Sequence, residues 1–308
     1  MGLPFAFWKS SINTSFEFSV DTTQVGTSST QFQLPLSSSS TPNFVIDWGD
    51  GNSDTITTYN QAETLHTYSV AGTYNISIDG VLNNWVFAGV GDDDKILDIS
   101  NWGTFTFSAS KHFQGCSNLT VSATDSPIIT NLGLSIFNGC SSIITMDVSN
   151  WDTSNATGGY FAMYGMANLT TFNCENWDTS NFTSLSYFFG QCNSLVNVNV
   201  SNWDVTGVSS TVRRIFGWSP TGGVKNTTSF AGWNINGITN FDGLMLASGG
   251  MTTANYDATL ISWAAQNPST GEAVHFGGST YTLGGTAEAA KNTLINTYGW
   301  IITDGGGV

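Results

Sequence analysis

A period of 26 residues limits how this chain can fold more than any other feature. Five phrases end successive units: Phe113-Gln114-Gly115-Cys116, Phe137-Asn138-Gly139-Cys140, Met163-Tyr164-Gly165-Met166, Phe189-Gly190-Gln191-Cys192 and Ile215-Phe216-Gly217-Trp218. Their last residues are 24, 26, 26 and 26 positions apart. A second phrase, Ser149-Asn150-Trp151-Asp152-Thr153-Ser154-Asn155, returns as Asn176-Trp177-Asp178-Thr179-Ser180-Asn181 and Ser201-Asn202-Trp203-Asp204, with an early echo at Ser100-Asn101-Trp102. Two phrases held to one period make each unit one coil of a solenoid whose apolar side stacks on the next. Inside the units Ile143, Met146 and Val148, then Leu169, Phe172 and Cys174, then Leu195, Val198 and Val200 stand at equal offsets. That alternation predicts a short strand per coil, laddered at roughly 4.8 Å. The column of Trp151, Trp177 and Trp203 and the column of Cys116, Cys140 and Cys192, which Met166 and Trp218 also occupy, are expected to be its inner supports. Regularity decays at both ends, with Pro127 where a Trp would fall and extra residues around Thr221-Gly222-Gly223-Val224 before Trp233, as capping units require. The solenoid is placed at 91–250.

The flanks read differently. Residues 12–90 carry the strand-length runs Phe16 to Val20, Gln31 to Leu36, Phe44 to Trp48 and Tyr74 to Ile78, parted by Ser, Thr, Asn and Gly clusters such as Ser37 to Pro42, which predicts a β-sandwich. Asp47-Trp48-Gly49-Asp50-Gly51 is a tight turn by composition. Downstream, Tyr256, Leu260, Trp263 and Ala264, and again Ala287, Ala290, Leu294, Ile295 and Tyr298, recur at helical spacing. Thr286 is the expected N-cap of the second helix, with Glu288 in its first turn and Gly299 at its stop. Residues 251–308 are therefore expected to form a small α/β module capping the solenoid, with Trp300 to Thr303 as a last strand. The fold class is mainly β in three parts, after an N-terminal segment at 1–11.

Charge narrows the partners. Seven basic against 22 acidic residues give a net −15, which repels phosphate backbones and anionic headgroups, so neither nucleic acid nor a membrane surface is an expected partner. Met1 to Ser10 has a short apolar patch, Leu3 to Trp8, without the basic start or small-residue cleavage site of a signal peptide. No run of about 18 apolar residues comes after it that could span a bilayer.

Chemistry is sparse. A column that accepts Cys116, Cys140, Cys192, Met166 and Trp218 alike is built for apolar packing, so buried free thiols are expected, with a Cys116–Cys140 bridge left open if neighbouring coils bring the pair together. Asp47, Asp50, Asn52 and Asp54 partly imitate a calcium loop, but Thr55 and Gln61 stand where its turn glycine and bidentate glutamate belong, so a turn-forming role is expected. Asp92-Asp93-Asp94 marks the junction of the first two parts. His66, His112 and His275 are scattered over different parts, and Asp152, Asp178 and Asp204 recur because their turn recurs. No catalytic, cofactor or metal site is expected. Arg213-Arg214, the one adjacent basic pair, reads first as a solvated face and second as a contact point.

The Asp47–Gly51 phrase, succeeded by His66-Thr67-Tyr68 and Ala71-Gly72-Thr73-Tyr74, resembles a PKD-type immunoglobulin-like domain over 12–90. The repeats resemble BspA-type leucine-rich repeats, most closely over 141–218, and the tail from Asn255-Tyr256-Asp257 to Gly306 is similar to the end module found after such repeats. These resemblances imply a non-enzymatic binding or structural protein. The expectation is a virion-exposed bacteriophage component, such as a head fibre, decoration or tail-associated host-recognition protein, located at the virion surface. Its implied partners are other virion or surface proteins and a host cell-surface glycan or protein, and a homo-oligomer suits such symmetric assemblies. The alternative is a secreted or cell-surface bacterial adhesin.

Overall fold

The computed structural model describes residues 13–196, 198–208, 211–217, 223–227 and 229–308. The segment 1–11, Trp218 and Thr221-Gly222 lie outside the described residues, and so do the expectations placed on them. The fold is mainly β with two helices, and no sheet closes into a barrel among the described residues.

Alternation along the chain builds the first strands. These are β1 (Phe16–Asp21), β2 (Gln31–Gln33), β3 (Asn43–Asp47), β4 (Ser53–Ile56), β5 (Leu65–Thr67) and β6 (Thr73–Val81). Phe16, Phe18 and Val20 of β1, Phe44 and Ile46 of β3, and Ile76 and Ile78 of β6 point into the core while their neighbours lie nearer solvent. The run expected from Gln31 to Leu36 is a strand only as far as Gln33. Pro35 has no N–H to give a ladder, and Leu36 instead donates to the Leu34 carbonyl at 2.8 Å. β2 and β5 pair as a small antiparallel sheet of their own.

The larger sheet does not stop at residue 90. It runs β4-β3-β6-β1 and then continues through β7 (Ile96–Asn101) to β9 (Thr120–Val121), with β8 (Thr106–Phe107) lying between those two in sequence. β7 is antiparallel to β1 and parallel to β9, so it converts the antiparallel register of the first strands into the parallel register of the later ones. Parallel pairing then recurs: β8 with β10 (Ile128–Ile129), β11 (Thr145–Met146) with β12 (Thr171–Phe172), and β13 (Gly223–Thr227) with β14 (Ser248–Met251).

One file of backbone hydrogen bonds ties successive segments together. Phe87 donates to His112, Phe113 to Ile136, Phe137 to Ala162, Met163 to Phe188, Phe189 to Ile215, Phe216 to Leu244, Met245 to His275 and Phe276 to Thr303, at 2.8 to 3.1 Å. Each segment's donors are thus satisfied by the next segment's carbonyls, and the buried backbone of the turns is paired without long strands. The apolar core is continuous from Phe16 to Trp300.

The last segments keep this arrangement with helices inserted. α1 (Thr253–Ala264) starts at Thr252, whose side chain accepts from the Asn255 N–H, and it buries Tyr256, Leu260 and Trp263. α2 (Thr286–Asn296) comes after β15 (Ala273–His275) and before β16 (Ile301–Thr303), and these two strands are parallel. Thr286 is the first helical residue, not the N-cap. The chain enters through extended Gly285, which has no side chain to cap with, and the Glu288 carboxylate accepts the N–H of Gly284 ahead of the helix at 2.7 Å. Ala287, Ala290 and Leu294 are buried as their spacing predicts, whereas Ile295 is exposed. Gly299, at φ 72°, ends the helix by donating to Ile295.

His112 fastens the first strands to the repeats. Two backbone N–H groups, of Ser108 and Ala109, point at its Nε2 at 3.3 and 3.0 Å, so Nε2 must accept and Nδ1–H donates to the Trp85 carbonyl at 2.6 Å. Burial pushes its pKa down to about 4, against a partial upward pull from the Trp85 bond. Because the folded value lies below the unfolded value near 6.5, this residue's contribution is complete above that pH and is lost as pH falls towards 4, by about 3 kcal/mol in all. Urea midpoints of the protein and of His112→Gln should therefore converge across that window. Parallel midpoints between pH 7 and 4 would remove the assignment.

Candidate functional site

Three sets of side chains carry the motifs of the sequence, and each is built by its local turn. In the first, the phrase after β3 folds back on itself. Asp47 accepts the Gly49 N–H at 2.9 Å and Asp50 accepts that of Asn52 at 3.0 Å, which are the side-chain turns such residues favour. Trp48 is fully buried, donates from Nε1 to Asp54 at 2.8 Å, and lies flat against His66 with centroids 4.6 Å apart. His66 in turn meets the second oxygen of Asp50 at 2.9 Å, and the Tyr68 hydroxyl donates to the Trp48 carbonyl at 3.1 Å. Burial raises the Asp50 pKa, but the bonds from His66 and Asn52 outweigh it and leave the carboxyl below its usual range. Gly49 has φ 78°, and a Cβ there would fall 2.2 Å from the Asn75 carbonyl oxygen, so this position admits glycine alone. Gly51 is exposed and closes the same turn. These carboxylates are committed to turns, and among the described residues no group of three His, Cys, Asp or Glu is arranged to hold a metal ion.

In the second set, the recurrent tryptophans form a ladder through their indole N–H groups. Trp177 donates to Val148 at 3.0 Å, Trp203 to Cys174 at 3.2 Å, Trp233 to Val200 at 2.8 Å and Trp263 to Phe230 at 3.0 Å. Each of these carbonyls also accepts the backbone N–H of the tryptophan three residues after it, so both of its lone pairs are used. Trp151 and Trp177 stack with centroids 6.0 Å apart and planes 11° from parallel. Beside each ring Asp152, Asp178 and Asp204 accept both the N–H and the hydroxyl of Ser154, Ser180 and Thr206. The serine hydroxyl and backbone bonds hold Asp152 and Asp178 below the usual carboxylate range.

In the third set, the Phe-x-x-Cys turn supplies the file of backbone bonds and a row of thiols. All four cysteines are buried and free, so Cys116 and Cys140 are neighbours without a bridge. Cys140 and Cys192 donate their S–H to the carbonyls of Phe113 and Met163 in the preceding segment, both at 3.0 Å. Burial pushes the Cys192 thiol up to about 12 and raises the other three as well, which removes the thiolate that nucleophilic or metal chemistry needs. Cys116, Cys140, Met166 and Cys192 are equally buried.

The sequence did not announce what lies on the outside of this third turn. Phe161 and Tyr187 hold equivalent left-handed positions, φ 56° and 59°, and their rings stack at 4.5 Å, 5° from parallel. Tyr160 and Tyr164 stand edge-on to Phe161 at 4.5 and 4.7 Å. The guanidinium carbons of Arg213 and Arg214 lie 5.5 and 5.9 Å from the Tyr187 centroid. The available signal was an aromatic residue at one offset in two consecutive units with an arginine pair in the next. Among the described residues no helix is long and apolar enough to cross a membrane.

A family model described as "Mycoplasma protein of unknown function, DUF285" matches residues 104–219 and 130–256, which hold the third set and all of the second but Trp263. No curated protein and no solved structure matches the chain.

Proposed function

We propose that the chain is a non-enzymatic adhesion and structural protein: a PKD-like β-sandwich over 12–90, a BspA-type leucine-rich-repeat solenoid over 91–250 and an α/β cap over 251–308. The observation that carries this reading is how the reactive side chains are used. The repeated aspartates close their own turns, the thiols are buried packing groups, and the buried histidine is a backbone clamp. Side chains fixed in this way support a scaffold whose outer face is free to vary, the arrangement suited to recognition. The setting proposed first is the surface of a bacteriophage virion, with other virion proteins and a host-surface glycan or protein as partners. The description of the matching family as a Mycoplasma protein favours a second setting, a bacterial cell-surface or secreted adhesin. Mass spectrometry of purified phage particles and of host envelope fractions separates the two. Peptides of this chain co-purifying with infectious particles are expected, and their confinement to envelopes would transfer the protein to the second setting.

A further inference from the structure

Charge is segregated within the repeats. Between residues 104 and 217 the basic residues are Lys111, Arg213 and Arg214, all on the Phe-x-x-Cys turn edge. The acidic residues of that stretch, Asp125, Asp147, Asp152, Glu175, Asp178 and Asp204, belong to the segments around the Trp turns. On a chain with seven basic residues and a net −15, one edge thus gathers the basic residues of these units, with Asp242 of the next unit beside the arginines, and the aromatic cluster sits on it. The backbone alone does not ask for those rings. The same left-handed position is taken by Lys111 and Ser135 before them and by Arg214 and Gly243 after them, so the turn accepts charged, small and aromatic residues alike. Phe161 and Tyr187 hold it as bulky residues, Tyr160 stands beside them 40% exposed, and Gly190 leaves room for Tyr164, whose ring would otherwise meet a Cβ at 2.7 Å.

We infer that this edge binds a bacterial polysaccharide containing hexuronic acid. The inference rests on the adhesion reading above and supplies its ligand class and its face. The C–H face of a pyranose packs on an aromatic surface, which here is the exposed Tyr160 ring beside Phe161, with Tyr187 buried next to them. A carboxylate carried directly on the sugar ring then reaches guanidinium groups that lie 5.5 and 5.9 Å from the Tyr187 centroid. Two arginines converge on a single acceptor, since Arg213 donates to Asp242 Oδ2 at 2.8 Å and Arg214 approaches the same oxygen at 3.3 Å. The trio thus carries one excess positive charge, and Asp242, half exposed, competes with an incoming carboxylate for the fork geometry that arginine offers.

The test is calorimetric titration of the full chain with a glucuronate-containing oligosaccharide, with the same oligosaccharide after carboxyl reduction, and with an acidic peptide. Binding is expected for the first, at least tenfold weaker for the second and not detected for the third. Tyr160→Ala and Arg213→Gln should each weaken it about tenfold, whereas Asp242→Asn should tighten it about threefold by releasing the arginines. That gain is one a damaged fold cannot produce. Equal binding of the reduced sugar, equal binding of the peptide, or affinity unmoved by all three substitutions overturns the inference. Oligosaccharide binding without adsorption of the protein to host cells leaves the site standing and removes the adhesion reading. Adsorption without oligosaccharide binding does the reverse.

Discussion

Replacing Lys95 by methionine is expected to cost about 3–5 kcal/mol of stability, the range for removing one partner of a buried ion pair. The side chain is fully buried. Its ammonium faces the Thr27 hydroxyl at 2.9 Å, the Ser28 carbonyl at 2.9 Å and the Gln31 carbonyl at 2.8 Å, with the Asp92 carboxylate at 3.5 Å. Asp92 is bound just as tightly to the same loop, accepting from the Thr27 N–H at 2.6 Å and the Gln33 N–H at 2.7 Å. A tethered ammonium here performs what a bound cation does elsewhere, gathering the oxygens of the 27–31 loop onto the segment that leads into β7. Methionine would leave Asp92 buried without its counterion and the Ser28 and Gln31 carbonyls without their donor. Lys95→Met combined with Asp92→Asn should cost clearly less than the two single changes added together, because the amide carries no charge and keeps an acceptor for one of the loop's N–H groups. Urea denaturation of the four proteins measures this coupling. A Lys95→Met midpoint within about 1 kcal/mol of the parent, or additive costs, would show that the pair is not what holds the junction.

Lys95 also shows where sequence reasoning loses hold. Next to Asp92-Asp93-Asp94 it reads as one charge in a solvated junction, because the loop that buries it is some sixty residues away in the chain and has no charged residue to advertise the contact. Periodicity is informative about a different quantity. It tells which side chains face inward, so Ile143, Met146, Val148 and their counterparts two units on were legible as core, as were Tyr256, Leu260 and Trp263 of the first helix and Ala287, Ala290 and Leu294 of the second, though not the exposure of Ile295. It does not tell whose carbonyl an inward side chain meets. Trp233 and Trp263 break the 26-residue spacing, and Trp263 stands on a helix, yet both occupy rungs of the indole ladder that begins at Trp177. The extra residues before Trp233 disturb the count without disturbing the contact. Backbone strain is equally silent in a sequence, which is why the outer face of the Phe-x-x-Cys turn became visible only with φ at Phe161 and Tyr187. The one-residue shift at Thr286 is silent too, since the N-cap place falls to extended Gly285, which has no side chain to mark it.

The missing tryptophan at the start of the repeats gives the ladder its own internal control. In the unit before Trp151 the chain has Pro127 instead, and the Trp151 indole N–H is buried without a hydrogen-bond partner, whereas that of Trp203 donates to the Cys174 carbonyl. Both rings are buried and both pack among aromatic neighbours, Trp151 against Phe107 and Trp177, Trp203 against Phe188 and Phe189. Replacing either by alanine should cost about 3–5 kcal/mol, because a large side chain is removed from a packed interior that collapses only in part. Phenylalanine separates the hydrogen bond from the volume. At Trp203 it deletes a bond and leaves the Cys174 oxygen with one partner instead of two, adding roughly 1 kcal/mol to the packing loss. At Trp151 it deletes an N–H that was desolvated with nothing to bond, so the polar contribution changes sign and offsets part of the packing loss. Trp203→Phe should therefore be less stable than Trp151→Phe by about 1–3 kcal/mol in urea unfolding monitored by circular dichroism, although the two substitutions are identical in chemistry. Equal midpoints would mean that ring packing alone sets the column and that the indole bonds, regular as they are, contribute nothing net to the stacking of one unit on the next.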